Sequence, residues 1–302
     1  MPWRDLDGIL LLDKPLGLSS SQALQAARRL LGAAKGGHTG ALDPLATGLL
    51  PLCFGEATKL AGHLLGARKA YLAECRLGIT TTTADREGEV TAEQSVPAFD
   101  EAVLEAALAK LRGRIMQVPP VYSALKQGGE PLYRKARRGE TVAVAPRAVD
   151  IHRLDLLERA DDTLRLYVEC GAGTYIRSLA VALGEALGCG AHLAGLRRLW
   201  VEPFTAPAMI TLERLAEAAA RGEAESLLQP LAAGVAHWPA LRLDASLAQA
   251  VRHGRPLVWP GADDARGPHA AFDEDGRLLA LVERRADGRL GILRGLRPAA
   301  GS

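Results

Sequence analysis

Aromatic side chains are scarce in this sequence, at 4% of 302 residues. Each tyrosine near a candidate site therefore carries more weight than usual. Cysteine is scarce too, with only Cys53, Cys75, Cys170 and Cys189. None forms a CxxC pair and none stands at zinc spacing with a histidine, so no metal centre is expected. They read as buried thiols of a reducing compartment. Long apolar runs are missing. The run Ile9 to Leu12 is far too short for a membrane span or a signal-peptide core, so a cytoplasmic protein without a membrane partner is expected. A large charge of either sign is missing as well. With 37 basic and 35 acidic residues the net charge is +2. That neither demands nor excludes a nucleic-acid partner and leaves the question to local clusters.

What is present suits a globular protein: 48% hydrophobic and 24% charged residues, in a length that fits about two domains. Gly8 to Leu12 reads as a buried strand, ended at Asp13-Lys14-Pro15 because proline cannot continue a ladder. Ser19-Ser20-Ser21 offers N-caps for a helix to about Leu31, with Arg28 and Arg29 where the dipole favours cations. Lys35 to Gly40 is a glycine-rich loop. Tyr71 to Leu77 and Leu164 to Cys170 alternate like strands. Glu101 to Arg112, Tyr175 to Leu187 and Leu212 to Ala220 read as helices, the second stopped by Gly188. Leu193 to Trp200 has mixed character. After about His237, short apolar strands alternate with the turn signals Asp275-Gly276 and Asp287-Gly288, which predicts a small β-rich domain.

Two segments could carry function. From Lys126 to Arg138 the chain holds five basic residues, Lys126, Arg134, Lys135, Arg137 and Arg138, against Glu130 alone. By itself this is a solvated, charged loop; the sharper alternative is a phosphate-contacting arm. The second is Gly37-His38-Thr39-Gly40-Ala41-Leu42-Asp43-Pro44-Leu45-Ala46-Thr47-Gly48. Pro44 pushes Asp43 out of the α-region, and glycines on both sides allow close approach of another backbone. A carboxylate on such a loop can face a cleft, although a bare Asp-Pro more often caps a turn.

That segment, running on to Leu-Pro-Leu-Cys-Phe-Gly-Glu-Ala-Thr-Lys, resembles the catalytic motif of the TruB family of pseudouridine synthases. Further segments resemble the family in order: Leu12 to Pro15, Lys69-Ala70-Tyr71, Val118 to Lys126, Gly173 to Arg177, and Gly188 to Leu193 running on to Leu196-Arg197-Arg198-Leu199. The likeness covers about residues 7 to 215. It implies a mixed α/β (α+β) fold, with a largely antiparallel central sheet over residues 1–237 and a basic thumb-like insertion at about 124–146. Residues 238–302 would form a PUA-like RNA-binding domain.

The resemblance implies isomerisation of uridine to pseudouridine at position 55 in the T-loop of tRNA, with no cofactor. The partner is the tRNA T-arm, bound by a monomer without a guide RNA. Asp43 would be the catalytic carboxylate, as nucleophile or as base on the ribose. His38 would stack in the place that the flipped base vacates, and Tyr71 would stack on the uracil. Arg177 would pair with Asp43 and favour its ionised form, Tyr175 and Leu196 would line the pocket, and Lys14 would be mainly positional. The basic run Lys126 to Arg138 would grip the T-arm phosphates. The sequence departs from the pattern at Ala172, where a lysine is usual, and at Thr82 in Thr81-Thr82-Thr83, where an acid is usual. Two rivals stand beside this reading: an RNA-folding helper whose chemistry is incidental, and the guide-RNA-dependent branch of the family.

Overall fold

The computed structural model of the chain describes residues 3–64, 68–123, 125–140, 142–255, 257–261 and 266–297, with the side chains of 64, 126, 127, 131, 133 and 137 excepted. Strands in chain order are β1 (Gly8–Lys14), β2 (Gly36–His38), β3 (Ala46–Phe54), β4 (Lys69–Leu77), β5 (Ile79–Thr81), β6 (Val90–Glu93), β7 (Gly113–Gln117), β8 (Lys126–Gln127), β9 (Glu130–Pro131), β10 (Arg147–Ala160), β11 (Thr163–Cys170), β12 (Ala191–Val201), β13 (Ala240–Arg242), β14 (Pro268–Phe272), β15 (Leu278–Arg284) and β16 (Leu290–Gly295). Helices are α1 (Ser20–Leu31), α2 (Ala61–Leu64), α3 (Glu101–Ala109), α4 (Leu132–Arg137), α5 (Ile176–Ala186), α6 (Leu212–Ala220) and α7 (Ala245–Arg252).

The central sheet runs β1-β3-β12-β4-β11-β10-β7, with β2 also paired to β3. Its pairs are antiparallel except β3 with β12, which run parallel through Leu196↔Ala46, Arg197↔Thr47 and Arg198↔Gly48. This parallel join is the element that builds the site, because it brings the strand after Asp43 against Arg198. Gly48 makes it feasible: its φ is +95°, and a Cβ there would stand 2.2 Å from the Arg198 carbonyl oxygen. Only glycine tolerates both conditions. The mixed stretch Leu193 to Trp200 is thus a strand, and its irregular pattern reflects bulges at Leu193/Gly195 and Arg198/Trp200.

Elsewhere local chemistry accounts for the elements. Glycine, isoleucine and leucines fill β1, which is buried through most of its length, as the continuous apolar run requires. It extends through Lys14, and Pro15 stops it. Ser19 caps α1 in a capping box with Gln22, and Gly32 ends it in the left-handed region. Ala23, Leu24, Ala27 and Leu31 form its buried stripe. Helix α3 is capped by Asp100 and ends at Ala109, short of Arg112, whose guanidinium instead donates to the Leu154 carbonyl. One large core packs one face of the sheet against α1, α3, α5 and α6, and a smaller cluster that includes Ile9, Leu11, Leu49 and Cys53 covers the other face of β1 and β3. All four cysteines are buried and free. Burial pushes the thiols of Cys53 and Cys75 up to about 12 and that of Cys170 to about 11, which leaves them inert.

The C-terminal segment forms a four-stranded sheet, β13-β14-β15-β16, that is not purely β: α7 packs on it through Ala248 and Val251. Its turns follow the Asp-Gly signals, with Gly276 and Gly288 both at φ +76°. A small cluster of Leu60, Val235, Ala270, Leu281 and Leu296 joins this sheet to the rest. Lys59 Nζ also donates to the Gly295 carbonyl at 3.0 Å, and the Arg297 amide to Glu56 Oε2 at 2.8 Å. None of the described helices is long and apolar enough to cross a membrane. Among the described residues no group of three or more His, Cys, Asp or Glu side chains could hold a metal ion.

Candidate active site

The loop that joins β2 to β3 carries Asp43, and it is tied down at nearly every residue. The Thr39 amide donates to Pro51 O at 3.1 Å, and the Ala46 amide closes a turn on Asp43 O at 3.0 Å. Pro44 O accepts from the Gly17 amide at 2.8 Å. Arg198 Nη2 donates to Gly40 O at 3.0 Å. Ser20 holds Leu42 from both sides: its Oγ accepts from the Leu42 amide at 2.7 Å and donates to the Leu42 carbonyl at 3.0 Å. Of the adjacent serines, Ser19 therefore caps the helix and buried Ser20 clamps the Asp43 loop.

Asp43 opens into a cleft of about 260 Å³ whose walls include Tyr71, Tyr175, Arg177, Leu196, Lys69, Ser123, Arg147 and Arg198. Arg177 Nη2 lies 3.0 Å from Asp43 Oδ2, and Arg177 Nη1 lies 3.3 Å from Asp85 Oδ2. The guanidinium is buried and also donates to Thr83 O at 3.1 Å and Tyr122 O at 2.9 Å. Both terminal nitrogens are thereby engaged twice and the plane is fixed, which fixes the Asp43 rotamer in turn. The Asp43 side chain is 46% exposed, but this exposure is to the interior of the cleft. Burial raises the Asp43 pKa above the usual carboxylate value; Arg177 and, less, Lys14 oppose it, and Asp85 adds to it. Arg177 thus acts in the expected direction, favouring the ionised acid, while desolvation acts against it and is the larger influence.

Tyr71 stands on β4 directly across from Arg198 on β12 and from Val168 on β11. It is buried, and burial raises its phenol pKa in spite of the Arg198 guanidinium, which is its hydrogen-bond partner. Tyr175 precedes α5, and Gln117 holds its backbone by a double bond: Gln117 Nε2 donates to Tyr175 O at 2.9 Å, and Tyr175 N donates to Gln117 Oε1 at 2.7 Å. Arg147 donates to the Gly173 carbonyl and sits 5.1 Å over the Tyr175 ring.

Two expected site residues lie outside the lining. Lys14 is fully buried beneath the loop, donating to Pro15 O at 2.9 Å and Leu18 O at 2.6 Å, and burial lowers its pKa to about 8. His38 sits on β2, half-buried, with Nδ1 unpartnered among the described residues; burial and the Arg198 charge lower its pKa. In the basic run, Arg134 is exposed on α4. Arg138 is already engaged: it grips Glu130 through both oxygens at 2.6 and 2.9 Å and Glu140 at 2.7 Å. Glu140 lies just past the run, so the local positive charge is smaller than the run suggests. The Lys126 and Arg137 side chains, and residues 124 and 141 of the expected insertion, lie outside the described residues.

Sequence reading missed Asp85, Gln117, Ser20 and Arg198 as site-building groups. Asp85 supplies a carboxylate three positions after the unexpected Thr82. It is held by Thr83 Oγ1 at 2.5 Å and the Glu87 amide at 3.0 Å. The missing acid was a usable signal for it. Nothing local marks the other three.

Residues 28–176 match the model of the TruB family pseudouridylate synthase N-terminal domain. Residues 177–236 match the tRNA pseudouridylate synthase B C-terminal domain and 238–291 the tRNA pseudouridine synthase II C-terminal domain. The chain is 59% identical over 302 residues to tRNA pseudouridine synthase B of Xanthomonas campestris pv. campestris (strain 8004), covering 99% of this chain and 97% of that protein. It is 51% identical over 290 residues to the protein of the same name from Stutzerimonas stutzeri (strain A1501), covering 95% and 94%. A chain of a solved Cbf5-Nop10-Gar1 complex superposes with a TM-score of 0.75 at 28% identity, over 96% of this chain and 84% of that one. A chain of an H/ACA RNP bound to a substrate RNA containing 2′-deoxyuridine gives 0.75 at 26% identity, over 96% and 85%. Near-full-length identity at this level, with three consecutive domain matches, establishes that the chain belongs to the TruB family of pseudouridylate synthases.

Proposed function

We propose that this protein isomerises uridine to pseudouridine in tRNA, at position 55 of the T-loop, acting on the T-arm directly, as a monomer in the cytoplasm and without a guide RNA. The observation that carries this reading is the Asp43–Arg177 pair at 3.0 Å in a cleft whose wall includes Tyr71. Isomerisation needs one carboxylate against the ribose, an aromatic face for the base, and room for the base to turn between the breaking of N1–C1′ and the making of C5–C1′. A base inside a folded loop must first be flipped out. Stacking on Tyr71 would hold it, at about 1–3 kcal/mol for a base on an aromatic ring. Asp43 is the catalytic carboxylate, attacking C1′ or removing a proton from the sugar; Arg177 favours its charged form against desolvation and aims it. Tyr175 and Leu196 flank the base, His38 enters the vacated stack, and Lys14 sets the loop. Residues 1–237 carry the chemistry, and 238–302, a PUA-like unit, capture tRNA together with Lys126, Arg134, Lys135, Arg137 and Arg138.

The test is tritium release from C5-labelled uridine in unmodified tRNA, with the purified chain and no guide RNA. Release to the extent of one uridine per tRNA is expected, lost when the target uridine is replaced. Absence of release, or release only inside a guide ribonucleoprotein, refutes the reading. Refolding of tRNA without release would favour the folding-helper alternative.

A further inference from the structure

Arg198 leads the largest fully buried side chains of the protein, at 1% exposure, and it lines the cleft. Its contacts are neutral. Nε donates to Leu49 O at 2.7 Å and Nη2 to Gly40 O at 3.0 Å, and the guanidinium partners the Tyr71 hydroxyl. Among the described residues no carboxylate lies within 4 Å of it; Asp43 and Asp85 pair with Arg177 instead. A buried charge without a counter-charge is costly, and carbonyl dipoles offset only part of the cost. Its field reaches the surroundings, helping to lower the pKa values of Lys14, His38 and Lys69. The arrangement is one that an arriving negative charge would complete.

The proposed isomerisation generates such a charge at this place, and a role for Arg198 in it rests on that reading of the site. When N1–C1′ breaks heterolytically, the electron pair leaves with N1. The uracil then carries one negative charge, delocalised onto O2 and O4. Asp43 compensates the sugar, by bonding to C1′ or by taking a proton from it. The charge is discharged when C5 bonds to C1′ as Asp43 leaves C1′ or gives its proton back to the sugar; the C5 proton then leaves and N1 takes up a proton, so the product is an isomer of the substrate and Asp43 is regenerated. By either route the base passes through an anion.

We propose that Arg198 is a positioning residue that stabilises the departing uracil anion from the cleft wall beside Tyr71, its cross-strand neighbour. Its charge lies in a low-dielectric wall where electrostatic interactions are strong. Three fixed contacts hold it, so no reorganisation is needed when charge develops. Its hydrogen bond to the phenol draws electron density out of the Tyr71 ring, which makes the ring a better face for an electron-rich base.

Single-turnover rates on T-arm RNA carrying uridine or 2-thiouridine at the target position test this. Sulfur accepts the developing charge better than oxygen and leaves the C5 proton in place. Arg198→Met is expected to slow uridine conversion about 100-fold, the scale for loss of one preorganised electrostatic contact, and 2-thiouridine conversion much less. RNA affinity should hold, because the group is buried. Arg198→Lys, which keeps the charge, should retain most of the rate. Equal losses on both bases, or equal losses in the two variants, would make Arg198 a structural peg and overturn the proposal. Should neither variant fold, Tyr71→Phe keeps the ring and removes the hydroxyl; it too should lose more on uridine than on 2-thiouridine, and equal losses there overturn the proposal. Failure of the wild-type chain to convert uridine at all would sink the proposed function instead.

Discussion

Ser19 and Ser20 are neighbours in sequence but act in different structures, and replacing each with alanine should separate stability from activity. Ser19→Ala removes the cap and capping box of α1, at a cost of about 1 kcal/mol. Ser20→Ala removes both hydrogen bonds to the Leu42 backbone, at 2.7 and 3.0 Å, in a spot where Ser20 is 3% and Leu42 5% exposed. A buried donor and acceptor left unpaired cost roughly 1–3 kcal/mol each, less where the carbonyl finds other partners, so about 2–4 kcal/mol in all. In a domain of this size each kcal/mol shifts Tm by about 2–4 °C. Ser20→Ala should therefore melt roughly 4–16 °C lower, and Ser19→Ala only a few degrees. The loop that Ser20 clamps carries Asp43 one residue further on. A misplacement of about 1 Å there costs on the order of 100-fold in rate. Single-turnover conversion at saturating tRNA, measured well below both melting points, should fall by that order for Ser20→Ala and stay near wild type for Ser19→Ala. Because a misaimed carboxylate loses transition-state contact rather than binding, kcat and kcat/KM should fall together. Wild-type turnover in Ser20→Ala, or an equal loss in both variants, would show that the clamp does not position Asp43.

Asp43→Asn should abolish conversion while tRNA affinity stays within a few fold; product in a single turnover would assign the chemistry to another group. The same variant tests the electrostatics. Burial raises the Asp43 pKa in the folded state, so the stability this group contributes is present below its unfolded pKa and lost as pH rises through the folded one. The asparagine variant should thus melt no lower than wild type at neutral pH, with the difference closing in acid. Arg177→Met removes the main influence that lowers the Asp43 pKa, so the acid limb of the pH–rate profile should move to higher pH; an unmoved limb would detach it from Asp43. Neutralising Arg134, Lys135, Arg137 and Arg138 together should flatten the salt dependence of tRNA binding, with Arg138→Gln alone contributing least because Glu130 and Glu140 already engage it; an unchanged slope would move the phosphate contacts elsewhere. Truncation after His237 should raise KM and leave kcat, and should also lower Tm by uncovering Leu60 and Val235; a folded truncation that fails at saturating tRNA would give the C-terminal sheet a part in the site.

Much of this molecule was legible in its residues one after another. The glycine-rich segment around Asp43, the strand carrying Tyr71 and the helix start carrying Arg177 were readable, because a motif, an alternation or a cap is set by near neighbours in the chain. The same locality explains what was missed. Leu193 to Trp200 lacked a clean strand pattern because bulges interrupt it, and Arg198 drew no role because its partners Gly40, Leu49 and Tyr71 come from β3, β4 and the loop between β2 and β3. Asp85 and Gln117 acquire their roles only when the sheet and α5 bring Arg177 and Tyr175 against them. The protonation tendency of Asp43 is the clearest case. The sequence named the carboxylate and its arginine, but desolvation is a property of everything packed around the cleft, and only the assembled tertiary structure makes it outweigh the pair.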